Sequence, residues 1–127
     1  MKSLMHHEYV SIGSQNCSHR IILLHGWGAD ADDLLPVGKS VINDSGIEFE
    51  LISLKAPNVR PNDIGRQWYS LFPPNWNEAE IAVDKLLDTL KAFDKTKISL
   101  KKTVLLGFSQ GGAMALDAGL RLDLGLV

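Results

Sequence analysis

Apolar residues along this chain fall into two kinds of pattern, short continuous runs and stripes at helical spacing, and their order predicts the elements. Ile21-Ile22-Leu23-Leu24 is an unbroken run stopped by His25-Gly26, the signature of a strand buried on both faces. Leu34, Leu35, Val37, Val41 and Ile42 then recur at helical intervals, with Asp30 or Asp32 available as cap, Pro36 in the first turn and Gly46 as the stop. A second strand is expected within Ile47 to Leu54, closed by Lys55-Ala56-Pro57-Asn58. The strongest helical stripe is Ala79, Ala82, Val83, Leu86, Leu87, Leu90 and Phe93, introduced by Asn77 as cap with Glu80 three residues on. Thr103-Val104-Leu105-Leu106-Gly107 predicts a third buried strand, and a final helix follows from Gln110 or Gly111 to about Leu122. Upstream, Tyr9, Val10 and Ile12 suggest one short strand, and Gly13-Ser14-Gln15-Asn16 a turn. The rhythm is strand, helix, strand, helix, strand, helix, which calls for a mainly parallel sheet with flanking helices.

One segment escapes both periods. From Val59 to Trp76 the chain holds three prolines and the aromatics Trp68, Tyr69, Phe72 and Trp76, and reads as a long loop with at most a helical turn near Gly65 to Leu71. Long loops in small domains are uncommon and often functional. The aromatic content makes this one either a substrate-facing wall or a surface loop tacked down by its rings.

Composition narrows the classes. At 127 residues, 45% hydrophobic and 22% charged, the chain suits a single globular domain. A formal net charge of -2 offers no basic field for nucleic acid. Cys17 is the sole cysteine, so no internal disulfide forms, and the histidines show no metal-binding spacing. The opening Met1-Lys2-Ser3-Leu4-Met5-His6-His7 lacks the apolar core of a signal peptide, and no run approaches the length of a membrane span. A cytoplasmic protein without cofactor, metal or stable membrane insertion is expected. Gly38-Lys39-Ser40 is not a phosphate loop, because the earlier glycine that motif needs is replaced by Asp33.

The chemistry sits in Gly107-Phe108-Ser109-Gln110-Gly111, a G-x-S-x-G between the third strand and the last helix. Such a junction turns sharply at the serine, and the small residues at 107 and 111 make room for the turn. The hydroxyl is thereby held out to a substrate, while the new helix points free N–H groups and its positive end at the developing oxyanion. The backbone N–H of Gln110 is the first expected oxyanion donor, and that of Trp27 the second. His25 reads as a residue that fixes the loop beneath Gly26 and Trp27 rather than as the base.

With these pieces in place the chain resembles the α/β-hydrolase superfamily, specifically the phospholipase/carboxylesterase family that includes the acyl-protein thioesterases. The resemblance rests on Leu23-Leu24-His25-Gly26-Trp27-Gly28-Ala29, on Ala56-Pro57-Asn58 with Pro61, on Arg66-Gln67-Trp68-Tyr69, and on Leu106-Gly107-Phe108-Ser109-Gln110-Gly111-Gly112-Ala113. It implies Ser109 as nucleophile, the N–H groups of Trp27 and Gln110 as oxyanion hole, and Trp68 as a wall of the acyl site. It further implies a three-layer α/β fold and hydrolysis of short or medium acyl esters or thioesters.

The departure lies after the serine. In the α/β-hydrolase order the acid and base follow the nucleophile, yet no histidine occurs among residues 110–127. Asp117 and Asp123 are the only carboxylates there, and a helix rising 1.5 Å per residue carries Asp123 roughly 20 Å from the elbow. The chain therefore reads as a single, incomplete hydrolase domain over residues 1–127, weak or inactive alone. The alternative is a non-catalytic binding or interaction protein derived from an esterase. Leu124-Gly125-Leu126-Val127 looks like the start of a further strand, and the sheet edge and helix faces left uncovered predict self-association.

Overall fold

The computed structural model describes residues 1–13, 16–60 and 65–122. Each buried run of the sequence forms a strand, and each stripe a helix. In chain order these are β1 (Lys2–Leu4), β2 (His7–Ile12), β3 (His19–Leu24), α1 (Leu35–Ser45), β4 (Phe49–Leu54), β5 (Asn58–Val59), β6 (Arg66–Gln67) and α2 (Trp76–Asp94). A 3-10 turn (Leu100–Lys102), β7 (Thr103–Gly107) and α3 (Gln110–Arg121) follow.

Five strands form one sheet in the order β1-β2-β4-β3-β7. β3 runs parallel to both β4 and β7, as the strand-helix rhythm requires. The sheet as a whole is mixed rather than mainly parallel, because β1 pairs antiparallel with β2 and β2 antiparallel with β4. The reason is a hairpin formed by the first dozen residues, which turns at Met5, a non-glycine residue at φ 53°. Met-His carries none of the usual turn chemistry, so β1 has no signature in the sequence.

Strand alternation divides the core into two layers. Ile21, Leu23 and Leu51 face α1, whose Gly38 lets the helix lie close on Leu23 and Leu51. Ile22, Leu24, Ile52 and Leu54 face the other way and pack with Leu86 and Leu90 of α2 and Met114 and Ala118 of α3. The result is a three-layer arrangement with α1 on one face and α2 and α3 on the other. At the end of the sheet remote from Ser109, the buried Arg20 donates through Nε to Glu50 Oε1 at 2.9 Å. It also reaches Ile98 O and Thr96 Oγ1, both at 2.8 Å, and so pins β3 and β4 to the turn that follows α2.

Three boundaries differ from expectation. α1 starts after Leu34 with no side-chain cap, since the aspartates expected to cap it close a turn of their own in which Asp30 N–H donates to Asp33 Oδ2 at 2.6 Å. Its end is as read, with Gly46 left-handed at φ 68°. α2 is capped by Asn75 instead of Asn77. Two Asn-x-x-Glu frames overlap here, and the earlier one is used because Glu78 can then accept from Ser70 N–H at 3.1 Å. In the aromatic segment β5 and β6 form a small antiparallel pair where a helical turn was expected. Ser14, Gln15, Pro61, Asp123 and the tail Leu124-Gly125-Leu126-Val127 lie outside the described residues.

Candidate active site

The parallel strands β3, β4 and β7 end at the same rim, and every segment singled out in the sequence meets there. β7 passes into α3 through Ser109, whose backbone sits at φ 55° and ψ −119°. No L-residue adopts that region without cost, so the surrounding structure must impose it. The two flanking glycines show how. A Cβ at Gly107 would lie 2.3 Å from Gly111 O, and one at Gly111 would lie 2.0 Å from Leu24 O. The turn closes only because both side chains are absent. Gly111 N–H donates to Phe108 O, and Phe108 N–H to Leu24 O, tying the turn to the end of β3.

Ser109 is exposed and abuts the loop after β3. A Cβ on Gly26 would meet Ser109 Cβ at 3.5 Å, so the loop carrying Trp27 borders the serine directly. Within the described residues neither Gln110 N–H nor Trp27 N–H donates a hydrogen bond.

A sequence model of the Phospholipase/Carboxylesterase family matches residues 5–126, nearly the whole chain. The chain belongs to that family. Among solved structures it is similar to esterase PE8, at 29% identity and a TM-score of 0.77, covering 91% of this chain and 58% of that one. It shares its fold with a carboxylesterase from Mesorhizobium loti, at 17% identity and a TM-score of 0.75, covering 97% of this chain and 58% of that one. YahD, solved with malic acid, has the same fold, with 18% identity, a TM-score of 0.71 and coverage of 91% and 57%. The chain thus spans somewhat under three fifths of the length of these three proteins.

The four motif pieces of the phospholipase/carboxylesterase resemblance form one hydrogen-bonded unit. The Gln110 side chain, buried behind Ser109, accepts from Trp68 N–H and donates to Tyr69 O, each at 2.9 Å. Arg66 donates to Ala56 O at 2.9 Å and to Pro57 O at 3.2 Å. Gly28 N–H donates to Arg66 O, and Arg66 N–H to Ala29 O. The elbow, the loop after β3, the loop after β4 and the β6 segment are therefore held as a set.

His25 is fully buried, and both ring nitrogens are engaged. Nε2 must accept, since its partner is the Ala56 N–H at 3.0 Å, and Nδ1 therefore carries the proton that it donates to Gly26 O at 2.8 Å. Burial pushes its pKa below the ordinary value, keeping it neutral. It fixes the loop and has no lone pair left for the Ser109 proton.

Trp68 stands elsewhere than expected. It is 0% exposed and offers no face to a ligand. Its indole packs beside the rings of His7 and His25, at 5.7 and 5.4 Å, and donates to His25 O at 2.8 Å. It supports the site from beneath instead of walling it. The aromatic surface near the serine comes from residues that the sequence did not single out as a group. Phe72 is exposed and meets Trp27 edge-on at 5.1 Å, and Phe108 is exposed beside Gly26. The Trp27 ring is also held by Gln67 Oε1, which accepts from its Nε1 at 3.0 Å, and by the Arg60 guanidinium 3.7 Å above it. The exposed-aromatic signal was present at Phe72, but periodicity cannot say which rings of an irregular segment turn inward.

Among the described residues no group of three or more His, Cys, Asp or Glu could hold a metal ion, and no helix is long and apolar enough to cross a membrane.

Proposed function

We propose that the chain carries the nucleophilic half of a serine carboxylesterase or acyl-thioesterase site for short or medium acyl groups. Ser109 Oγ adds to the acyl carbonyl carbon, its proton passes to a base, and the alcohol or thiol leaves. Water then hydrolyses the acyl-enzyme and restores the serine. The N–H groups of Gln110 and Trp27 stabilise the tetrahedral oxyanion, and Trp27, Phe72 and Phe108 offer the apolar contact for the acyl chain. Base and acid come from residues outside 1–127. The substrate is a small-molecule acyl ester or thioester, met in the cytoplasm. The observation that carries this reading is the backbone of Ser109 at φ 55°, enforced by glycines on both sides and set against the loop of Trp27.

The chain alone lacks a general base, so its turnover of p-nitrophenyl acetate to octanoate should lie near background. An oxyanion hole without a full triad still gives about 10³–10⁴-fold over water, far short of a complete triad. Slow acylation should therefore appear on Ser109 in intact-mass and peptide mapping, and vanish in Ser109→Ala. Acyl groups scattered over lysines, with the Ser109→Ala variant labelled equally, would remove the esterase reading and favour a non-catalytic binding protein.

A further inference from the structure

At the C-terminal end of α2, remote from Ser109, the sheet face that this helix covers holds a recess of about 100 Å³. Lys2 of β1, Tyr9 and Ser11 of β2, Arg20 of β3 and Glu50 of β4 line the sheet side, and Lys97 stands opposite them in the turn after α2. None of these residues belongs to the Ser109 site. We propose that the recess binds a phosphate group through Lys2, Lys97 and the hydroxyls of Tyr9 and Ser11, tying the β1–β2 hairpin to the turn after α2.

Strand register builds the recess. Lys2 stands opposite Tyr9, Ser11 opposite Ile52, and Arg20 opposite Glu50. Alternation therefore puts all of these side chains on the face that carries Ile22 and Ile52 toward α2. The helix ends at Asp94, and residues 95–98 turn across this corner, held there by the bonds from Arg20 to Thr96 Oγ1 and Ile98 O. The polar ends of the strands thus meet a turn instead of an apolar helix face.

Charge selects the occupant. Among the described residues of the lining three cations, Lys2, Arg20 and Lys97, face one carboxylate, Glu50, an excess of two positive charges. Arg20 and Glu50 are buried and neutralise each other at 2.9 Å, so the excess lies on the two exposed ammonium groups. A cation would find its carboxylate already taken and two like charges beside it. A dianion finds both charges uncompensated. The hydroxyls add direction, since among the described residues neither that of Tyr9 nor that of Ser11 makes a hydrogen bond. Burial, with the Glu50 carboxylate beside it, raises the pKa of Tyr9, so its phenol keeps the proton and can donate it. A water takes about 30 Å³ of the liquid, so the recess has room for a few waters or for one tetrahedral oxyanion.

The test is an NMR titration of the chain with inorganic phosphate and with glycerol 3-phosphate, at an ionic strength held constant with chloride. Saturable shifts are expected at the amides of Tyr9, Ser11 and Lys97, with slowed hydrogen exchange in β1 and a raised thermal midpoint. Lys2→Met with Lys97→Met, both exposed positions, should weaken binding about tenfold or more. Tyr9→Phe keeps the ring on Phe93 at 5.4 Å and should weaken it about twofold to tenfold. Lys91→Met with Lys101→Met, outside the lining, should leave it unchanged. Tighter binding of glycerol 3-phosphate assigns the site to a phosphomonoester whose alcohol part projects from the recess, and tighter binding of inorganic phosphate assigns it to the free ion. Shifts that chloride alone reproduces, that spread over every lysine, or that persist in the Lys2→Met, Lys97→Met variant would overturn the proposal. So would a Tyr9→Phe, Ser11→Ala variant that binds as the parent does.

Discussion

Gln110 is the residue on which most of the candidate site depends. Its side chain joins the turn at Ser109 to Trp68 and Tyr69. Gln110→Ala leaves a buried donor and a buried acceptor without partners, at about 1–3 kcal/mol each. Urea denaturation should show a loss of about 2–6 kcal/mol, and Gln110→Glu should recover only the bond from Trp68 N–H. His25 is expected to behave similarly. His25→Leu fills the volume but strands Ala56 N–H and Gly26 O, costing about 2–4 kcal/mol by the same measurement. Glycine at 111 leaves less latitude still. Gly111→Ala drives a methyl into the carbonyl of Leu24, and a loss of about 3 kcal/mol or more is expected, read as insoluble expression or a collapsed unfolding midpoint.

At the scale of elements, α2 is the longest helix and has the only side-chain cap among the described helices. Asn75→Ala should cost about 1 kcal/mol in urea unfolding, whereas Asn77→Ala should be nearly silent. That contrast also shows where sequence reading reaches its limit. β3, β4, β7 and the helical stripes were legible because burial on two faces or one face imposes a period. The choice between two overlapping Asn-x-x-Glu frames was not legible, because it depends on Ser70, a residue brought near only by the folded loop. β1 was illegible because its turn uses Met5, and the sense of the sheet changed with it. In the site, the sharp strand-to-helix turn at Ser109 and the loop-fixing place of His25 could be read from local chemistry, for a strand end followed by glycine has few uses. Trp68 could not be placed. Its neighbours are His7 on β2 and His25 just after β3, both far from it in sequence, and only tertiary packing decides that this ring goes inward while Phe72 goes outward.

For the whole molecule, acid is the condition that should expose its weakness. His7 is buried against Thr89 and Trp68, and burial pushes its pKa down to about 4 from 6.5, helped by the charges of His6 and Lys85. The unfolded chain takes up this proton first. The contribution of His7 is thus complete above about pH 6.5 and disappears as pH falls toward 4, amounting to about 3 kcal/mol. Burial acts on His25 in the same sense. Urea midpoints measured from pH 7 to pH 4.5 should fall steeply, and His7→Gln should flatten that fall; an unchanged profile would assign the loss to carboxylates elsewhere. The two hydrogen bonds of His25 carry a further consequence. They fix one tautomer in a ring with no contact to water, so its Nδ1 proton should exchange slowly and give a discrete downfield signal in a nitrogen-edited NMR spectrum. That single resonance would report, without substrate, whether the loop beside Ser109 is assembled at any given temperature or pH.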